Sequence, residues 1–381
     1  MKALKHTFAE GETIDIALQN AARIAIQDSL KVKEGEQVII ATNPDPEVSL
    51  ISKALYDAVL KSKGCPVLMY QPSKTQLDFA EPAIISAFET NPAVFISISA
   101  EKLGKDRQGI AKPYEYGGRK WDNLYHLHMY GKKTCRSFWS PSTTIDSFIR
   151  TVPIDYALLR RQCGAVKQVL DKAVSVHITA PGGTDITFGL KGRFARSDDG
   201  DFSEGGRGGN LPAGETFISP ENNTAEGTIV YDGSISLHEG TILITTPIHC
   251  RLEKGFITGI SGGKDADALL ETISLAEKNA LAFEAEGKLE KGSGALYAKN
   301  ARNIGEIGIG LNPKAAITGN MLEDEKAFKT CHFAVGSNYD DDAPSLIHLD
   351  GLVKNPTIRA IMEDGSEVVI EDQGNLTEAF L

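Results

Sequence analysis

Cysteine is scarce: five in 381 residues (Cys65, Cys135, Cys163, Cys250, Cys331), odd in number and never spaced as Cys-x-x-Cys. That spacing excludes a disulfide framework and a zinc finger, and it points to a reducing compartment. Long apolar runs are missing as well. The N-terminal MKALKHTFAEGETIDIALQN carries Glu10, Glu12 and Asp15 where a signal peptide needs its apolar core, and nothing later is long and apolar enough to span a bilayer. A cytoplasmic location is the expectation. Positive charge is short too: 40 Lys and Arg stand against 51 Asp and Glu, a formal charge of −11. With no basic stripe to displace phosphate counterions, nucleic acid and anionic membrane are excluded as partners. The chain also lacks internal repeats and low-complexity tracts. Its glycine-rich segment DDGDFSEGGRGGNLPAGE has no G-x-x-x-x-G-K-[ST], and GEIGIG at 305–310 is not G-x-G-x-x-G, so neither is a phosphate cradle. The first is expected to be a mobile surface loop.

What is present suffices for two domains, because this length and an apolar content of 41% exceed one ordinary core. Residues 14–30 place apolar side chains at three-to-four spacing and predict an amphipathic helix. A strand at 37–41, a helix from Glu47 to Ser62 stopped by Gly64, and a strand at 66–70 then form one βαβ unit. Apolar runs near 95 and 135 continue a small parallel sheet to about residue 150. A helix over 155–172 closes an N-terminal α/β domain, residues 1–172. From 173 to 381 short alternating segments bounded by Gly, Pro or Asp predict a β-rich, barrel-like domain, broken by a helix near 265–287.

The densest chemistry lies in DEKAFKTCHFAVGSNYDDDAPSLIHLDGLV, residues 324–353, which holds two of only eight histidines. His348 and Asp350 stand at i and i+2, so on a strand they share a face. His332, inside CHFAVG, comes from a second strand-like segment, with Tyr339 seven residues on. Imidazole with carboxylate suits zinc, cobalt or manganese rather than calcium. A histidine beside an aspartate is also a common hydrogen-bonded structural pair. Two further acids favour a metal: Glu215 at the end of NLPAGE, and Glu306 among the isoleucines of RNIGEIGIGLNP. Taken singly, Glu306 reads as a solvent-facing strand residue. Carboxylates converging in a dry site need cations to neutralise them. His126 and His128 in YHLHMY form a second apparent same-face pair with no acid to support a metal, and Arg136 is placed at a cleft by position. No cysteine has a nucleophile's surroundings.

In order and context, NLPAGETFISPENNTAEGTIVYDG, IGEIGIGLNP, DEKAFKTCHFAVGSNY and HLDG resemble the thermophilic metallo-aminopeptidase family typified by aminopeptidase T, over residues 173–353. The resemblance implies a homodimeric leucyl-aminopeptidase-like hydrolase with an N-terminal α/β domain and a β-rich catalytic domain. It implies two divalent ions (zinc, cobalt, magnesium or manganese) on Glu215, Glu306, Glu325, His332, His348 and Asp350. Glu215 would be ligand or general base, and Tyr339 the donor to an oxyanion. The implied substrate is a peptide with a free N-terminus. A second resemblance, around CRLEKGFITGISGG, is to 2,5-dihydroxypyridine 5,6-dioxygenase, an enzyme with one iron and a histidine where this chain has Glu306. A metal-free binding protein that keeps the scaffold is the third reading.

Overall fold

The structure is a computed structural model in which residues 13–75 and 78–381 are described. Glu10 and Glu12 lie outside the described residues. The chain divides into two compact units, 1–160 with 198–213, and 161–197 with 214–381.

The first unit is built on a five-stranded parallel sheet in the order 208–210, 136–141, 94–99, 37–42, 65–70. Its first helix spans Ile14–Ile24, capped by the Thr13 hydroxyl accepting from the Ile16 amide, and buries Ala17, Leu18, Ala21, Ala22 and Ile24. It ends in a π-turn over Ala25–Ser29, so the predicted helix of 14–30 changes pitch in its last third. The next helix runs Pro46–Lys61, with proline at its first position and Asp45 capping two amides. Its left-handed exit residue is Lys63 rather than Gly64. Gly64 has a packing role: a Cβ there would stand 2.8 Å from Val59 Cγ1. The core beneath the sheet is aromatic, with the Phe88 and Phe95 rings 4.5 Å apart and Tyr125 against both.

The glycine-rich segment expected as a loop supplies the sheet's edge strand. Gly208–Asn210 pairs in parallel with Ser137–Trp139. A Cβ at Gly208 would lie 2.7 Å from the Ser137 carbonyl oxygen, so only glycine lets the chain approach there. Arg136 is likewise not at a cleft. It is buried, donating from Nε to the Leu30 carbonyl at 2.8 Å and pairing through Nη2 with Glu36 at 2.5 Å. His126 and His128 lie in a helical turn, not a strand. One is exposed and the other is buried against Thr134 Oγ1, and they do not converge.

The second unit holds two antiparallel sheets. One has eight strands in the order 256–261, 248–253, 226–231, 185–189, 173–179, 357–362, 367–372, 375–376. The other runs 240–243, 234–237, 348–354, 330–336, 304–310, 215–218, 196–198. Phe188 of the first stacks on Phe333 of the second at 5.5 Å, joining their inner faces. The helix predicted near 265–287 spans Lys264–Ala285. Strands Ile304–Gly310 and Thr330–Gly336 are buried at every residue, which marks them as the centre of their sheet. Among the described residues no helix is long and apolar enough to cross a membrane.

Candidate metal centre

The strands bearing Glu215, Glu306, His332 and His348 lie side by side, and their register sets the site. Ala334 pairs with Glu306 on one side and with Asp350 on the other, so these acids flank one small residue in a row across three strands. Two residues along each strand returns to the same face. His332, paired with Gly308, and His348, paired with Gly336, therefore join that face. Glu215 enters from the next strand, opposite Gly310. The small residues make the room: a Cβ at Gly308 would fall on the His332 ring.

The side chains interlock. His332 Nε2 is 3.5 Å from Glu215 Oε2 and 3.3 Å from Glu306 Oε1. His348 Nε2 is 3.2 Å from Glu306 Oε2 and 3.4 Å from Asp350 Oδ1. Glu306, expected when taken singly to face solvent, is instead only 3% exposed, because its strand lies at the centre of the sheet. Two ligand triplets result, Glu215–Glu306–His332 and Glu306–His348–Asp350, which share Glu306. Glu215 Oε2, Glu306 Oε2 and Asp350 Oδ1 are buried with no hydrogen bond among the described residues. Such oxygens, each aimed at an imidazole nitrogen, are what a cation site requires and what a purely structural network avoids.

His348 is oriented as a ligand. Its Nδ1 lies 2.9 Å from the Ser337 carbonyl, which can only accept, so Nδ1 carries the hydrogen and Nε2 is turned to the carboxylates. Its group is the open one: His348 and Asp350 side chains are 23% and 13% exposed, against 7%, 4% and 1% for Glu215, Glu306 and His332.

Lys326, which no motif singled out, is the added element. It is wholly buried, with Nζ 2.5 Å from Glu215 Oε1 and 2.5 Å from Glu325 Oε1. It follows the short helix Met321–Asp324 by two residues. Glu325 thus faces a lysine and belongs to neither triplet. Tyr339 stands at the rim, its ring 5.0 Å from His348 and 5.3 Å from Phe217. The signal for Lys326 was its adjacency to Glu325 in a segment otherwise read for acids.

Electrostatics follow from burial and crowding. Burial raises Glu215, against the pull of Lys326 and His332. Burial lifts Glu325 to about 8, with Lys326 opposing. Burial also works to raise Glu306 and Asp350, but the imidazoles beside them win and both are lowered. For His332 burial opposes the charge, yet Glu306 and Glu215 push it up to about 9. His348 is raised in the same way by Asp350 and Glu306.

The profile of the NicX family, 2,5-dihydroxypyridine 5,6-dioxygenase, matches residues 143–369. A curated 2,5-dihydroxypyridine 5,6-dioxygenase of Pseudomonas putida KT2440 is 29% identical over 171 residues, 43% of this chain and 41% of that protein. The chain therefore spans about two fifths of that relative's length in sequence. The solved structure of 2,5-dihydroxypyridine dioxygenase from the same organism has the same fold, with a TM-score of 0.70 at 19% identity over 97% of this chain and 100% of that one. AmpT of Thermus thermophilus has a TM-score of 0.64 at 16% identity, over 96% and 100%.

The aminopeptidase expectation, with its peptide-hydrolase and protease reading, is overturned by the family profile and the curated relative, which both point to a dioxygenase. The likeness to AmpT holds for the fold. The physical reason is that buried carboxylates and imidazoles present the same donors to a hydrolytic cation and to a redox-active one, so ligand types alone do not separate them. The two-ion zinc or cobalt centre goes with the hydrolase reading. The structure supplies groups able to hold metal, without calling for two ions of that kind.

Proposed function

The chain belongs to the 2,5-dihydroxypyridine 5,6-dioxygenase family, and on that premise we propose that it opens a hydroxylated aromatic ring of the pyridine class with dioxygen, using one ferrous ion held by Glu306, His348 and Asp350. The observation that carries this reading is the open triplet itself: one imidazole and two carboxylates on a single sheet face, with the imidazole fixed by the Ser337 carbonyl. The set departs from the two-histidine, one-carboxylate triad usual for non-haem ferrous iron, because Glu306 stands where the dioxygenase has a histidine, but it keeps mixed nitrogen and oxygen donors on one face. Iron bound there supplies the one-electron chemistry that dioxygen needs to react with a closed-shell ring.

The chain's own residues do the rest. Ala334 and Gly336 keep that face low, so the ligands present their ends without steric cover. Tyr339 gives a flat wall beside His348 against which a planar ring can stack, backed by Phe217. Its hydroxyl is a donor for an anionic oxygen on that ring. Both oxygen atoms of dioxygen end in the product, so the reaction calls for no external reductant.

The test is anaerobic loading of purified protein with Fe(II), followed by an oxygen electrode and ultraviolet spectra with 2,5-dihydroxypyridine. Expected is one dioxygen consumed per ring, with loss of the aromatic band. Fully loaded protein that consumes no oxygen with hydroxypyridines refutes the reading.

A further inference from the structure

Lys326 is a wholly buried amine held between two carboxylates beside the candidate metal centre, and neither ligand motif nor reaction accounts for it. Its ammonium holds Glu215 through Oε1 and Glu325 through Oε1, so each acid at that end of the cluster already has a cation. The Glu215–Glu306–His332 triplet then depends on Glu215 Oε2 alone from that carboxylate, and it shares Glu306 with the open triplet. A divalent ion there would share the Glu215 carboxylate with the ammonium. At an effective dielectric constant of about 20, charges of +1 and +2 held about 5 Å apart repel strongly enough to weaken binding by on the order of 10⁵-fold.

We propose that Lys326 is the built-in cation of the Glu215 end, which limits the centre to one divalent ion and confines it to Glu306, His348 and Asp350. Lys326 is thus a positioning residue that sets metal number, and Glu215 serves it rather than the ion. His332 then lies beside the ion's own ligand, Glu306, and holds its inner oxygen in place. The inference rests on the metal-dependent reading above, but metal number can be counted whether or not any ring is opened.

The experiment counts ions. Chelator-stripped wild-type protein, titrated with Co(II) and analysed by mass spectrometry of the metal, is expected to take up one tight equivalent with an uncoupled electron paramagnetic resonance signal. Lys326→Gln and Lys326→Met are expected to take up a second equivalent, with spin coupling between the ions. Because removing a buried lysine endangers folding, two further variants stand beside them. Glu215→Gln is expected to keep one equivalent with less than tenfold loss of affinity, whereas Asp350→Asn falls below about 0.2 equivalents. Two tight equivalents in the wild type overturn the proposal, as does loss of the ion in Glu215→Gln. Folded Lys326 variants that stay at one equivalent overturn it too. One ion bound without any oxygen consumption leaves this inference standing and removes the dioxygenase reading.

Discussion

Glu371 offers a sharp test of the electrostatic reasoning away from the metal. It sits on strand Glu367–Asp372, is 0% exposed, and neither carboxyl oxygen has a hydrogen-bond partner among the described residues. Burial pushes its carboxyl up to about 8 from the usual 4.5. A group raised on folding contributes stability that is fully present below its unfolded value and is lost as pH climbs to its folded value. The window is therefore pH 4.5 to 8. Each unit is worth about 1.36 kcal/mol, so ionising Glu371 removes on the order of 5 kcal/mol across that window. Glu371→Gln cannot ionise, but its amide brings donors that cost about 1–3 kcal/mol if left unpaired. The variant should match or fall slightly below wild type at pH 4.5 and exceed it by several kcal/mol at pH 9. Urea unfolding of both proteins at pH 4.5, 7 and 9 measures the difference, in which the other buried acids cancel. Parallel pH profiles would refute the assignment.

Arg136→Ala should cost about 1–3 kcal/mol of stability by removing a buried guanidinium's bonds to the partly buried Glu36 carboxylate and the Leu30 carbonyl, read by urea unfolding, with Arg136→Lys recovering only part. Gly308→Ala drives a methyl into the His332 ring, so it should lose more than tenfold in oxygen consumption and about 1–3 kcal/mol in stability. Chelation should abolish oxygen uptake; Fe(II) added anaerobically should restore it and Zn(II) should not, as followed on the oxygen electrode.

Much of the candidate cluster was legible in the sequence, and for a physical reason. Strand geometry makes i and i+2 share a face, so His348 and Asp350 could be joined from spacing alone. Glu306 was harder. Its isoleucine neighbours fit a buried strand and an edge strand equally, and only a central position with every residue covered decides between them. Pairing partners are invisible in a single sequence, so the row Glu306–Ala334–Asp350 could not be read from it. In the first unit, the alternation of strand and helix was plain, while the short strand at 208–210 was hidden because glycine is selected there for close approach, a role that resembles a flexible loop in composition. Arg136 was placed by position, but its guanidinium meets Glu36, 100 residues away in sequence.

Lys326 was hidden for a different reason, and it bears on why one fold serves unlike chemistries. A search for metal sites looks for groups that donate electron pairs, and lysine as an ammonium donates none. Yet the number of cations that a set of carboxylates accepts depends on every positive charge among them, ligand or not. Glu215 and Glu325 each turn one oxygen to Lys326 between them; without it those two oxygens are open to another cation. Hydrolysis by a bridged water draws on paired ions, whereas ring opening by dioxygen draws on one redox-active ion with free positions. A single side chain that supplies no ligand can thus tilt a shared set of donors from the first chemistry toward the second.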